Sequence, residues 1–89
     1  MTRHERRLAV VHDQCLEDLE YFAERTPRLA ARALKLMRET LREPSSGPGK
    51  PESLKGLPSV WSRRVDQEHR LVYRVLADRV DFLQARYHY

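Results

Sequence analysis

Near its end the chain places basic groups with a spacing that suits an anion. Arg70 and Arg74 fall on one side of a period-two run, His69 to Leu76. Arg86 and His88 fall on one side of the next run, Val80 to Arg86, and its continuation. In an extended strand alternate residues share a face. If Leu76 pairs with Val80 across Ala77-Asp78-Arg79, Arg70 stands opposite Arg86 and His88 opposite Glu68. Arg70 and His88 are then diagonal neighbours, roughly 7–8 Å apart at their backbones. Two guanidinium groups face to face repel unless an anion lies beside them, and arginine's planar fork suits phosphate. A one-residue slip would undo this, but it would also turn one strand's apolar set outward.

Other chemistries find less support. The four histidines, His4, His12, His69 and His88, never stand four apart, and no Cys/His cluster forms, so no metal site and no cofactor are expected. Cys15 is the single cysteine, which excludes an intrachain disulfide and reads as a small buried helix residue. Gly47-Pro48-Gly49-Lys50 suggests a phosphate-binding loop only superficially. No Ser or Thr follows the lysine and no strand leads into it.

Those basic groups need a scaffold. Leu8-Ala9-Val10-Val11 favours a strand, and Asp13 can cap a helix in which Leu16, Leu19, Phe22 and Ala23 recur at helical spacing. Thr26 as N-cap and Pro27 at the first helical position open a second helix. Its apolar face holds Ala30, Ala33, Leu34, Met37 and Leu41, and it should stop near Glu43, before Pro44. Residues 44–51 hold three of five prolines and two of three glycines and read as a loop. Strand-like runs follow at Val60–Val65, His69–Leu76 and Val80–Arg86, joined by turns short enough for hairpins. The apolar sets Leu71, Tyr73, Val75 and Leu83, Ala85, Tyr87 should face the core. The expected architecture is α+β: an N-terminal strand and helical hairpin packed on a mostly antiparallel four-stranded sheet, its other face left open.

Size and charge agree with one small domain spanning residues 1–89 and an anionic partner. The 89 residues carry 17 basic and 13 acidic groups, a net charge of +4, and 14 of the basic residues are arginine. Residues 1–43 contribute nine basic and eight acidic groups, and residues 44–89 eight and five, so the excess lies in the second half. No apolar run approaches the ~20 residues of a membrane span, and the basic N-terminus lacks the apolar core of a secretion signal. A cytoplasmic protein with no membrane partner is expected.

Four blocks add a more specific signal: Gly47-Pro48-Gly49-Lys50-Pro51-Glu52-Ser53-Leu54-Lys55, Trp61-Ser62-Arg63-Arg64, Glu68-His69-Arg70-Leu71-Val72-Tyr73 and Arg86-Tyr87-His88-Tyr89. In order and spacing they resemble the YoeB toxins of the RelE-like superfamily. Tyr21-Phe22 stands where that family has an aromatic pair, so the resemblance covers nearly the whole chain. It implies a RelE-like fold and a toxin of a type II toxin–antitoxin system, an endoribonuclease (mRNA interferase) that cuts messenger RNA on the ribosome. It further implies an acidic, YefM-like antitoxin as partner and leaves a homodimer open. Carried over by position, Glu52 matches the general base, His88 the general acid and Arg70 the phosphate-stabilising arginine. Lys55, Arg64 and Tyr89 match supporting substrate-binding positions, and Arg86 joins them as a substrate-binding candidate through its expected place opposite Arg70. The chain departs from the family in about five extra residues at its start and in Pro58-Ser59-Val60 before Trp61.

RNA brings its own nucleophile, the 2′-hydroxyl. Cleavage needs a base for that proton, an acid for the 5′-oxygen, and cations around the phosphorus. Glu52, His88 and Arg70 would supply these without metal. Duller roles exist for each: Glu52 as a loop carboxylate, His88 as a frayed end, Arg70 as a surface partner of Glu68 or Asp66. Trp61, Tyr73 and His69 read as structural. Two other functions share the charge pattern: a non-catalytic basic binder of RNA or ribosomes, and a gyrase-poisoning member of the same superfamily. The second has no use for Glu52 and His88 together.

Overall fold

The computed structural model describes residues 7–86, which form two helices packed on one face of a five-stranded sheet. The elements are β1 (Leu8–Val11), α1 (Asp13–Arg25), α2 (Pro27–Arg42), β2 (Glu52–Ser53), β3 (Val60–Arg64), β4 (Arg70–Val75) and β5 (Arg79–Gln84). The strand order is β1-β5-β4-β3-β2. β1 runs parallel to β5, and every other neighbour is antiparallel. The expected four strands and both helices are present. The fifth strand, β2, has two residues, too few for any periodicity to reveal it. It exists because Glu52 and Ser53 pair with Ser62 and Trp61.

The helices begin and end close to the expected places, but their caps and buried faces differ. Asp13 is the first helical residue rather than the cap, where its charge still favours the positive end of the helix dipole. Thr26 occupies the N-cap of α2 without a side-chain hydrogen bond, and Pro27 alone supplies the start signal. The buried stripes are Cys15, Asp18 and Phe22 on α1 and Ala33, Leu36, Met37 and Thr40 on α2. Leu16 and Leu34, expected inside, are 54% and 53% exposed. Polar residues displace them: the Thr40 hydroxyl donates to the Leu36 carbonyl inside the helix, and Asp18 serves the sheet.

Asp18 ties the helical layer to the end of β5. Its Oδ2 accepts the backbone N–H of Ala85 at 2.8 Å and of Arg86 at 3.1 Å, and Oδ1 accepts from Gln14 at 3.1 Å. The neighbouring Cys15 thiol is pushed up to about 12, first by burial and then by the Asp18 charge. It therefore stays a protonated core residue, as its place in the helix predicts.

The last hairpin corrects the expected register. Val75 pairs with Val80, Arg74 with Asp81 and Tyr73 with Phe82, one residue away from the expected offset. A bulge between Val72 and Tyr73 absorbs Leu83, so Val72 faces Gln84 and the expected offset returns beyond it. The core set of β5 is therefore Val80, Phe82 and Ala85, with Leu83 only half-buried. Simple alternation could not show this, because the inserted residue breaks the period. Tyr87, assigned to the same set, lies outside the described residues.

Replacing Asp18 by Ala strands two backbone N–H groups in the interior. Its unfolding free energy in urea should fall by about 2–4 kcal/mol with an unchanged denaturant slope.

Candidate functional site

The site is built on a loop that the sheet interior holds in place. Arg63 faces the core between Trp61 and Val65 and is fully buried. Its guanidinium donates to the carbonyls of Glu43, of Ser46 at 2.9 Å and of Pro48 at 3.0 Å, and through Nε to the Tyr73 hydroxyl at 3.2 Å. The Tyr73 hydroxyl in turn donates to the Pro44 carbonyl at 2.5 Å, and burial raises its phenol above the usual tyrosine value. Three carbonyls and a phenol thus solvate one buried cation, and the 43–48 loop is wrapped around it. Gly49 completes the wrap in a left-handed conformation (φ 86°). A Cβ there would stand 3.0 Å from the Arg64 carbonyl oxygen, while the Gly49 carbonyl accepts from the Arg64 N–H at 2.7 Å. The chain leaves this anchor directly into β2, which fixes Glu52.

On the open face β2 brings Glu52 opposite Ser62, and β4 brings Arg70 opposite Arg64. Arg70 donates through Nε to the Ser62 hydroxyl at 3.0 Å and through Nη2 to Glu52 Oε1 at 3.3 Å. The surface partners considered for Arg70, Glu68 and Asp66, are not used. Asp66 instead accepts the N–H groups of Glu68 and His69. The Glu52 side chain is 68% exposed and that of Arg70 34%, so their ion pair is weak and open to exchange with another anion. Arg64 is exposed at the end of β3, and Lys55 is exposed in the turn between β2 and β3.

A second charged cluster on this face is paired within itself, with Arg79 also 4.0 Å from Asp78. Asp81 is buried and accepts from Arg74 at 2.8 Å and Arg79 at 2.9 Å, with His12 Nε2 at 3.7 Å. The hydrogen bond from Arg74, ahead of the contribution of Arg79, holds its carboxyl below the usual carboxylate range. Arg74 thereby leaves the set of cations expected to face an anion.

The opposition of Arg70 and Arg86 is not formed. β5 ends at Gln84, and Asp18 takes the backbone of residues 85 and 86 toward α1. The Arg86 guanidinium lies 3.6 Å above the Tyr21 ring, with that of Arg25 4.1 Å from the same ring. His88 and Tyr89 lie outside the described residues. His69 packs against Phe22 with ring centres 5.1 Å apart, the structural role its alternation predicts. Sequence reasoning missed Arg63 and Asp18. For Arg63 a signal existed: an arginine at a core-facing position of a period-two run, between a tryptophan and a valine.

Solved structures of low identity share this architecture. The archaeal RelE–RelB complex from Pyrococcus horikoshii matches at 16% identity over 90% of this chain and 92% of that one, with a TM-score of 0.72. The DinJ–YafQ complex from Escherichia coli matches at 17% over 93% of each chain, with a TM-score of 0.77. The fold is RelE-like. Within it, residues 11–89 match the family model described as YoeB-like toxin of bacterial type II toxin–antitoxin system, and the chain belongs to that family. Toxin RelK of Mycobacterium tuberculosis is 50% identical over 74 residues, 82% of this chain and 87% of the relative. Toxin YoeB of Escherichia coli K12 is 41% identical over 78 residues, 86% and 93% of the two chains. The YoeB dimer from Staphylococcus aureus is 34% identical, covers 94% of this chain and 99% of its own, and has a TM-score of 0.84.

Two predictions test the Arg63 anchor and the Asp81 cluster. Arg63→Met removes the cation around which the 43–48 loop is wound. It should lower stability by about 3 kcal/mol or more, since each hydrogen bond to a charged group contributes about 1.5–3 kcal/mol. Asp81 has a lowered carboxyl value, so its contribution is present above the ordinary aspartate value and is lost as pH falls through the lowered one. Asp81→Asn should therefore melt well below wild type at pH 7, and the gap in Tm should narrow as pH drops below about 4.

Proposed function

We propose that this chain is a ribosome-dependent endoribonuclease that inhibits translation by cutting messenger RNA. The observation that carries the reading is the contact of Arg70 with both Glu52 and Ser62 on the open sheet face. A guanidinium beside a solvent-exposed carboxylate, in a chain of the YoeB-like toxin family, supports reading Arg70 as the phosphate-binding cation and Glu52 as its partner in the chemistry. A substrate phosphate replaces the carboxylate at Arg70 and releases Glu52 to act as base. Glu52 takes the proton of the 2′-hydroxyl, and the oxygen attacks the adjacent phosphorus. Arg70 faces the negative charge that develops there. His88 gives a proton to the 5′-oxygen as the phosphorus–oxygen bond breaks, leaving a 2′,3′-cyclic phosphate and a 5′-hydroxyl. Lys55, Arg64 and Tyr89 hold the strand on either side. Arg86, stacked on Tyr21, steadies the segment that carries His88.

The same reading implies a partner. Solved relatives include a YoeB–YefM heterotetramer and a YoeB dimer, both from Staphylococcus aureus. A YefM-like acidic segment over the open face would neutralise Arg64 and Arg70 and block the phosphate. The toxin would work in the cytoplasm, where ribosomes and message meet, as one domain.

Single-turnover cleavage and ribosome binding, measured side by side, test the assignment. Glu52→Gln and His88→Gln should each slow cleavage by roughly a hundredfold or more while ribosome affinity changes little. The double variant should lose much less than the product of the two, because the pair acts in one transition state. Arg70→Ala should weaken both affinity and rate. Near wild-type cleavage by the His88 variant would refute the assigned acid.

A further inference from the structure

Most arginines of the described residues have a carboxylate within reach or another evident use. Arg25 pairs with Glu24, Arg42 with Glu39, Arg70 with Glu52, and Arg74 and Arg79 share Asp81. Arg63 is buried among carbonyls, and Arg86 is stacked on Tyr21. Arg28, Arg32 and Arg64 are different. All three are exposed, none is ion-paired among the described residues, and all three line one groove of about 530 Å³ between the start of α2 and the end of β3.

The groove has the parts a nucleic-acid strand needs. Arg32 donates through Nε to the Val65 carbonyl at 2.5 Å, which fixes its guanidinium against the wall. Leu29, half-buried, supplies an apolar patch on which a base or sugar can rest. Asp66 also lines it, but its Oδ1 is held by the N–H groups of Glu68 and His69. Three guanidinium groups against the single carboxylate of Asp66 leave the groove net positive, which raises the local potential and favours a bound polyanion. The groove is also continuous with the site already described, because Arg64 stands directly opposite Arg70 in the β3–β4 register.

We propose that the groove lined by Arg28, Arg32 and Arg64 binds the phosphodiester backbone of RNA beyond the scissile bond, extending the strand's path from Arg70 across the sheet edge to α2. This rests on the ribonuclease reading for the identity of the strand, and it adds Arg28 and Arg32 as binding residues. Guanidinium planes can stack bases while their edges meet phosphates, which suits a single strand of RNA.

The probes are a fluorescent hexanucleotide methylated at every 2′-oxygen, so that it cannot be cleaved, and purified ribosomes. Arg28→Glu is compared with Arg38→Glu, an equal charge change at an exposed position of the same helix outside the groove. Arg28→Glu should weaken RNA binding about tenfold and lower the salt slope by about one, and Arg38→Glu should change affinity no more than about twofold. A loss on both probes supports the groove as the path of the substrate strand, and a loss on ribosomes alone assigns it to ribosomal RNA and overturns that path. Equal effects of the two substitutions overturn it, as does an Arg28 variant that loses only antitoxin affinity. Should the Glu variant unfold, Arg28→Gln should show the same ordering at about threefold. Wild-type protein that binds neither probe would refute the ribonuclease reading itself, and the groove with it. Because the hexanucleotide cannot react, the outcome does not depend on whether Glu52 and His88 act as base and acid.

Discussion

The buried guanidinium of Arg63 organises the half of the molecule that carries the site. A cation removed from water must regain its hydration from the protein, and here the donors of Arg63 find carbonyls of Glu43, Ser46 and Pro48 and the Tyr73 hydroxyl. Those carbonyls belong to a segment rich in proline and glycine with no secondary structure of its own. Without a central donor the loop would have many conformations of similar energy. With it, the end of α2 and the entry to β2 are fixed relative to β3 and β4. Glu52 is presented to Arg70 because Arg63 faces inward on the strand next door.

A second anchor works at the other end of the sheet. Asp18 reaches from α1 to the backbone of Ala85 and Arg86, and the Leu83 bulge adjusts β5 so that Ala85 still faces the core. The two anchors use complementary chemistry. One is a buried cation satisfied by carbonyls, the other a buried anion satisfied by N–H groups. Between them they hold the two segments, 43–52 and 85–86, from which the proposed base and the approach to the proposed acid emerge.

The open face divides its charges by availability. Around Asp81 the positive groups are consumed by a buried carboxylate, which stabilises the sheet and offers little to a ligand. Around Arg70 the counter-charge is an exposed carboxylate, easily displaced. Arg64 on this face, and Arg28 and Arg32 beyond the sheet edge on α2, have none among the described residues. The gradient from paired to uncompensated charge runs across the sheet and over its edge toward α2, along the path proposed for the RNA strand.

The sequence by itself determined the α+β class, the positions of the helices, three strands of the C-terminal sheet and the N-terminal strand. Each has a periodicity or a stop signal: Pro27, Pro44, and the alternation through Leu71 and Tyr73. The four blocks around Glu52, Arg70 and the C-terminus were also legible, as a resemblance that the family match bears out. Only the tertiary structure decided the rest. β2 is two residues long and is defined by its partner strand. The bulge at Leu83 changes which residues of β5 face inward, and no count along the chain reveals an inserted residue. Leu16 and Leu34 gave up the interior to Asp18 and Thr40 because a buried polar group with its partners in place is tolerated there. Arg86 left the neighbourhood of Arg70 because Asp18 and Tyr21, more than 60 residues earlier, hold it. Local sequence encodes what each element is; contacts between distant residues decide which of its faces is used.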